Sequence, residues 1–296
     1  MIPMPEQQYG RLRINRVDEG GAGLPMSMAL PGIGDADLAR LARWFQHDSL
    51  TAEVETSLFY LNVHSYVLHC DGKVIVIDSC NGNHKQRSVP FAHMLDTPYL
   101  ANLAAQGVRP EDVDMVMCTH LHADHVGWNT RLDNGQWVPT FPNARYIFGR
   151  TDYEFFSTQE HEVFHREAYL DSVLPVVAAG LADIVEESTV VHHELGDGIW
   201  LEPAFGHSPG SCIVNAKCGG QHAVFSGDII HHPVQMVRPD LHFFADEDPA
   251  RASVVRKSLL ERAAEQEIAL FPAHFCGTSG GFVKRDEASF KFEFLV

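Results

Sequence analysis

The hydrophobic positions of this chain fall mostly in short apolar runs that end at polar or glycine-rich turns. Residues 61–70 (LNVHSYVLHC) and 73–78 (KVIVID) are two such runs, and the Asp-Gly pair between them predicts a β-hairpin. The run at 113–120 (VDMVMCTH) is apolar enough for a strand that is buried on both faces. Further strands are predicted at 144–149, 190–194, 199–205, 211–218, 223–225 and 268–274.

Helical periodicity appears between these strands. In GDADLARLARWF, Asp35 stands where an N-cap is expected, and Leu38, Leu41, Ala42 and Phe45 recur at helical spacing. This helix either packs on the body of the protein or serves as a lid or dimer contact. Other helices are predicted at 97–106, 152–179 and 248–266. Because no linker or repeat interrupts the pattern, we predict one α/β domain over residues 1–296, with residues 1–50 as an N-terminal extension packed on it.

Composition narrows the classes of function. The formal charge is −17, from 39 acidic and 22 basic residues, and no Lys/Arg cluster is present to bind phosphates, so we expect no nucleic-acid partner. The six cysteines include no C-x-x-C pair, which argues against a thiolate zinc site and against a disulfide framework. No apolar run approaches the length of a membrane span, and the first residues lack the apolar core of a signal peptide. A cytoplasmic protein without a membrane partner is the expectation.

The run at 113–120 leads directly into THLHADHVGWN, which contains three histidines and an aspartate. In an extended segment alternate side chains share a side, so His120, His122 and Asp124 can face together. A turn that begins at Asp124 can bring His125 to the same place. Imidazole and carboxylate groups are the usual ligands of divalent transition metals, so the segment predicts half of a metal site.

Three later segments each place a further ligand type after a predicted strand. His207 lies in FGHSPGS, Asp228 in FSGDII and His274 in LFPAHF. Taken singly, each has a structural alternative, such as a turn residue, an N-cap or a buried core histidine. A catalytic metal usually takes three protein ligands, so seven ligands suit two ions. The predicted division assigns His120, His122 and His207 to one ion, and Asp124, His125 and His274 to the other, with Asp228 bridging.

This order of ligands, His-x-His-x-Asp-His followed by His, Asp and His, resembles that of the metallo-β-lactamase superfamily. The motifs span about residues 113–275, and the preceding hairpin from Leu61 also fits. The resemblance implies a four-layer αβ/βα sandwich with a dinuclear metal site in a cleft at one edge of its two sheets. It implies two divalent cations as cofactors, with Zn²⁺ as the default and Mn²⁺, Fe²⁺ or Co²⁺ as alternatives.

Several branches of the superfamily fit poorly. β-Lactamases proper lack a bridging aspartate such as Asp228, and the nuclease branches carry RNA-binding additions. What remains resembles N-acyl-homoserine lactonases and methyl-parathion-hydrolase-like enzymes. The predicted function is therefore dinuclear hydrolysis of small uncharged esters, lactones first, by a hydroxide held between the metals. Organophosphate triester or aryl ester hydrolysis is the alternative, an iron-dependent oxidoreductase is the alternative of another class, and a homodimer through the leader helix is a further expectation.

Three residues are predicted to act in catalysis. Asp124 and Asp228 would do so as metal ligands, Asp228 also setting the distance between the ions. Many similar lactonases have a tyrosine three residues after the bridging aspartate, where this chain has His231. His231 is predicted to donate a hydrogen bond to the substrate carbonyl or to protonate the leaving group. A role in supporting the ligands and an exposed position are the alternatives.

Residues that flank the ligands are candidates for orienting them or for forming the substrate pocket. Thr119, Asp78 and Ser226 are predicted to hold ligand imidazoles by the ring nitrogen that does not bind metal. For Asp78, which ends a predicted strand, a capping role is the alternative. The predicted apolar pocket residues are Trp128, Met236, Phe243 and Phe275, for each of which a plain core position is the alternative.

Overall fold

The computed structural model describes residues 4–158 and 163–296, and strands and helices alternate through both parts. The strands are β1 (Gln7–Tyr9), β2 (Leu12–Pro25), β3 (Leu58–Cys70), β4 (Lys73–Ile77), β5 (Met115–Met117), β6 (Thr130–Asp133), β7 (Gln136–Pro139), β8 (Arg145–Gly149), β9 (Ala182–Val185), β10 (Val190–His192), β11 (Gly198–Pro203), β12 (Cys212–Cys218), β13 (Gln221–Gly227), β14 (Ala269–Pro272), β15 (Gly281–Asp286) and β16 (Ser289–Phe294). The helices are α1 (Met26–Ala29), α2 (Asp35–Leu41), α3 (Tyr99–Ala105), α4 (Ala123–Val126), α5 (Arg150–Ser157), α6 (Val163–Ala168), α7 (Leu174–Ala178), α8 (Val234–Val237) and α9 (Pro249–Gln266), with a π-helical turn at Tyr169–Val173.

Two seven-stranded sheets form the framework. The first has the order β1-β2-β3-β4-β5-β8-β9 and the second β10-β11-β12-β13-β14-β15-β16, while β6 and β7 pair as a separate hairpin. The first three pairings of the first sheet are antiparallel, and β4, β5, β8 and β9 are parallel. Among the described strands of the second sheet, only β13 and β14 pair in parallel. The carboxyl ends of β4 and β5, and those of β13 and β14, therefore each lie side by side.

The sheets pack face to face with helices outside them. On β5, Met115 and Met117 point into a core shared by both sheets, whereas Val116 points outward into a core that includes side chains of α3. On β13, Phe225 points into the shared core and Val224 outward towards α9. This alternation follows from the two-residue period of a strand with both faces buried. The expected four-layer αβ/βα sandwich is confirmed.

The first fifty residues contribute more than a packed extension. The long strand β2, which the polar and glycine-rich sequence LRINRVDEGGAGLP did not predict, pairs with β3 along nearly its whole length. The predicted helix is present as α2, and Leu38 and Leu41 pack against Val234 and Val237 of the body. The predicted N-cap is displaced by one residue: Gly34 is the N-cap, Asp35 is the first residue of α2, and the backbone N–H of Gly34 donates to Asp37 Oδ2 at 3.0 Å. In the described part of the chain, no helix combines the length and the apolar character that crossing a membrane requires.

Candidate metal centre

All seven predicted ligands come together where the carboxyl ends of the strands meet. His120 and His122 follow β5, Asp228 follows β13, and His274 follows β14. His207 comes from the loop between β11 and β12. We call these seven residues the metal floor; they are His120, His122, Asp124, His125, His207, Asp228 and His274.

Within the metal floor, three histidines form one tight group. His120 Nε2 lies 3.0 Å from His122 Nδ1, which lies 2.9 Å from His207 Nε2. Each of the three residues is at least 95 % buried. A cation that binds the lone pairs of all three nitrogens explains why these buried imidazoles lie so close together.

A second group stands beside the first, and one carboxylate lies between them. His274 Nε2 lies 3.0 Å from Asp228 Oδ1 and 3.7 Å from Asp124 Oδ2, and His125 Nε2 lies 3.2 Å from Asp228 Oδ1. The other oxygen of Asp228, Oδ2, lies 3.4 Å from His207 Nε2 in the first group. Oδ2 also lies 3.2 Å from His274 Nε2, so Asp228 stands between the two groups with its carboxylate within reach of both.

The chemistry of these atoms fits divalent cations. His125 Nε2 and Asp228 Oδ1 are buried and make no good hydrogen bond within the described residues, a costly state unless a metal ion takes their lone pairs. Burial, aided by repulsion from neighbouring imidazoles, lowers the pKa of His120 and of His122 well below its ordinary value. Both rings are therefore neutral, as metal ligation requires.

Two of the residues predicted to orient ligands do contact them. Asp78 Oδ2 lies 2.9 Å from His125 Nδ1, and the same carboxylate accepts hydrogen bonds from the backbone N–H and the hydroxyl of Thr119, both at 2.8 Å. The Thr119 hydroxyl also lies 3.1 Å from His120 Nδ1. Ser226 instead donates to the backbone carbonyl of Gly227. Asp78 thus connects His125 of the second group to the end of β5, which carries His120 of the first group.

Sequence reasoning missed Asp246. Its Oδ1 lies 2.9 Å from His207 Nδ1, and its Oδ2 accepts the backbone N–H of Phe243 at 3.0 Å. The guanidinium of Arg256, which is fully buried, stands 3.6 Å from the same oxygen. Asp246 is 39 residues from His207 in an acidic loop. No spacing signal distinguished it from Glu247 or Asp248.

Asp152, also missed, joins the two loops that carry the first group. Its carboxylate accepts the backbone N–H of Leu121 at 3.1 Å, the hydroxyl of Ser208 at 2.9 Å and the backbone N–H of Gly210 at 2.6 Å. Leu121 lies between His120 and His122, and the other two partners follow His207. Burial raises the pKa of Asp152 to about 6, against these hydrogen bonds, which lower it.

His231 lies against Asp228 and is buried beneath Phe243. The residue is fully buried, and its ring stacks on Phe243 with centroids 4.0 Å apart. Its Nε2 lies 3.1 Å from Asp228 Oδ2. His231 is not among the described residues that line the cavity above the metal floor, and its predicted contact with the substrate carbonyl stays a prediction. Burial lowers the pKa of His231 to about 4.

A cavity of about 690 Å³ opens above the metal floor. Asp124, His122, His207 and Asp228 form its base. Its sides include a set of apolar residues that we call the cavity wall: Leu24, Leu61, Phe91, Phe155, Phe164, Phe243 and Phe244. No lysine or arginine is among the described residues that line it. The cavity is therefore suited to an uncharged, apolar group.

Of the four predicted pocket residues, Phe243 lies in the cavity wall and the other three do not. Trp128 stacks on Tyr99 and donates its indole N–H to Glu19. Met236 and Phe275 are fully buried in the core beneath α9. Adjacency to a ligand in sequence misled here, because neighbouring residues of an extended chain point to opposite sides.

Comparison with known proteins identifies a family and a shared fold. Residues 59–274 match the model of the metallo-beta-lactamase superfamily. No curated protein matches the sequence significantly. Solved structures that share the fold include the beta-lactamase-superfamily hydrolase AbOPH (20% identity, TM-score 0.82, covering 100% of this chain and 98% of that one), the dizinc quorum-quenching lactonase AidC with its bound product (18%, 0.80, 99% and 98%), and a probable metal-dependent hydrolase from Staphylococcus aureus (16%, 0.78, 98% and 99%).

Proposed function

We propose that this chain, which belongs to the metallo-beta-lactamase superfamily, is a dinuclear metal-dependent hydrolase of small uncharged esters and acts first of all on lactones of the acyl-homoserine type. The observation that carries the proposal is the complete metal floor, with Asp228 between its two groups, beneath a cavity whose wall is largely apolar. Metal-dependent hydrolysis agrees with membership of the superfamily, and the dinuclear mechanism and the substrate class are the steps that we add.

The metal floor would hold two divalent ions, with Zn²⁺ as the proposed occupant and Mn²⁺, Fe²⁺ or Co²⁺ as ions that the same donors accept. Bound there, such ions supply a water nucleophile ionised near neutral pH and polarise the carbonyl of the substrate. Asp228 would fix the spacing of the two groups of ligands. Asp78 and Asp246 would hold the rings of His125 and His207 in the tautomer and direction that ligation needs.

The substrate class rests on the cavity wall. Phe155, Phe164 and Phe243 line one continuous space with Asp124 and Asp228, so an acyl chain on the wall would place its ester carbonyl over the metal floor. Without a lysine or arginine among the described lining residues, a charged group on the part of the substrate that lies along the wall, away from the proposed metal ions, would find no cationic side chain. AidC, which shares the fold, is a lactonase whose structure contains N-hexanoyl-homoserine, a product of this chemical type.

Aryl esters and organophosphate triesters are the second candidate, and the abundance of phenylalanine favours them. Phe91, Phe155, Phe164, Phe243 and Phe244 all line the cavity and offer faces on which an aromatic leaving group can stack. The same two-ion arrangement serves attack on phosphorus as well as on a carbonyl.

The deciding experiment measures acid release by pH-stat from N-hexanoyl- and N-decanoyl-homoserine lactone, using protein whose metal content is assayed on the same sample. Rapid turnover with two metal ions per chain is the expected result. Fully loaded protein that leaves both lactones intact but cleaves a p-nitrophenyl ester or an aryl phosphotriester would replace the first candidate by the second. Oxygen consumption by iron-loaded protein would instead point to an oxidoreductase.

A further inference from the structure

Two adjacent histidines follow Asp228, and both are buried, yet their surroundings differ. The ring of His232 is packed between Phe45 and Phe59, and its Nδ1 accepts the backbone N–H of Val234 at 3.1 Å. His231 also packs on an aromatic ring, that of Phe243, but its ring nitrogens lack partners. Within the described residues, neither of its ring nitrogens makes a hydrogen bond of good geometry.

A buried imidazole without such partners is costly, so its location is informative. Two atoms of the metal floor, His125 Nε2 and Asp228 Oδ1, also lack a hydrogen bond of good geometry within the described residues. For these two atoms the proposed metal ions account for the missing hydrogen bonds. His231 lies in the same place: its Nε2 is 3.1 Å from Asp228 Oδ2 and within 4.8 Å of a ligand atom of His207.

The direction of the His231 ring is fixed from several sides. The backbone N–H groups of His231 and His232 both donate to Gln235 Oε1, at 2.8 and 3.2 Å. The ring lies flat against Phe243 at 4.0 Å and edge-on to His207 at 4.8 Å, so it is sandwiched in place. Phe243 is itself tied through its backbone N–H to Asp246, the residue that holds His207. The ring therefore presents Nε2 to the metal floor as the recognised ligands do.

We propose that His231 Nε2 is an eighth protein ligand of the dinuclear centre, binding the divalent cation that His120, His122 and His207 hold; this rests on the proposed function. That ion then has four imidazoles and Asp228 Oδ2 as donors, whereas the other has Asp124, His125, His274 and Asp228 Oδ1. The rival role for His231 is a hydrogen bond from Nε2–H to Asp228, without contact to metal. A glutamine at this position distinguishes the two roles, because its amide can donate a hydrogen bond to Asp228 but does not replace an imidazole ligand.

The experiment titrates Co²⁺ into metal-free protein and follows its visible absorption, with affinities from competition against a chelating dye. The variants are His231→Phe, which removes ligand and donor, and His231→Gln, which keeps an amide donor for Asp228. The matched control is His232→Phe, at the adjacent buried histidine. We expect wild type and His232→Phe to bind two ions alike. Both His231 variants should bind one of the ions more weakly, by at least the roughly 10–100-fold that loss of a group behind the ligands costs.

Absorption gives a second readout, independent of turnover. Removing one ligand lowers the coordination number of Co²⁺, which strengthens its visible bands, so both His231 variants should show a more intense spectrum than wild type. Unchanged affinity and spectrum in His231→Phe would overturn the inference alone, as would full restoration by His231→Gln, which would establish the hydrogen-bond role. Wild type that binds no Co²⁺ would overturn the proposed function and this inference together. Should His231→Phe fail to fold by circular dichroism, the glutamine variant decides between the two roles.

Discussion

The metal floor and the cavity wall face each other across one cavity but are built differently. Every histidine of the floor is at least 95 % buried, and at least four of them are held through the second ring nitrogen by a neighbouring group. In the wall, Phe91 is 37 % exposed and Phe244 is 47 % exposed. A phenyl ring has no polar atom through which a neighbouring group could hold it by a hydrogen bond. The floor is fixed by directional bonds and the wall by packing alone. Changes in the floor should therefore remove the reaction, and changes in the wall should redirect it.

The largest effect is expected when the carboxylate that lies between the two groups of the floor is removed. Asp228→Ala should lower turnover by about 10³-fold or more, beyond the usual effect of losing one supporting group, because both ions lose a ligand. Metal analysis should show fewer than two ions per chain. Asp133→Ala, at an exposed turn of the β6–β7 hairpin, is the matched control and should behave as wild type. Near-normal turnover with one ion bound would refute the two-ion mechanism.

A smaller effect is expected one step behind the floor. Asp246→Asn keeps an acceptor for His207 but removes the charge, and it leaves the buried guanidinium of Arg256 without its carboxylate. We expect metal affinity to fall about 10–100-fold. The unfolding temperature of the metal-free protein should also fall, because a buried cation loses its partner. Chelator competition and calorimetry measure the two effects, and unchanged metal affinity would reduce Asp246 to a structural residue.

Asp152 tests whether the floor depends on the loops being tied together. Asp152→Ala leaves the N–H groups of Leu121 and Gly210 and the hydroxyl of Ser208 without their acceptor. Each unsatisfied group costs about 1–3 kcal/mol, partly offset because a desolvated carboxylate is removed as well. The expected result is a lower unfolding temperature and about tenfold lower turnover with metal restored in excess. Full activity at wild-type stability would show that the two loops are held in place by packing.

Sequence analysis could predict that the seven residues of the floor lie together because most of them follow an apolar strand, and the carboxyl ends of parallel neighbours meet at one edge of a sheet. The supporting groups were recovered only where they are close in sequence to a ligand or end a predicted strand, as Thr119 and Asp78 do. Asp246 and Asp152 reach the floor through the folded arrangement of loops, which spacing does not encode. The strand β2 was missed because its polar and glycine residues match no strand template, although pairing with β3 stabilises it.

The wall was the least predictable region, for a physical reason. An apolar residue needs no specific polar partner, so a sequence pattern cannot distinguish a residue that lines a cavity from one in the core. Met236 and Phe275 were therefore predicted to line the pocket together with Phe243. Phe91 and Phe164, which do line the cavity, come from segments far from any ligand in sequence. Exposure combined with proximity to the floor identifies them, and both quantities exist only in the folded chain.

The mildest prediction concerns the wall itself. Phe91→Ala removes an aromatic face from the cavity at a position that is already 37 % exposed, so the cost to folding should be small. If an acyl chain lies against it, the lost apolar contact amounts to about 1 kcal/mol and should raise KM about fivefold for a decanoyl lactone, and less for a butanoyl one. Metal content and kcat should stay unchanged. Met94→Ala, at a nearby position that is 49 % exposed and does not line the cavity, is the control. An equal loss for both chain lengths would mean that Phe91 shapes the entrance and does not contact the acyl chain.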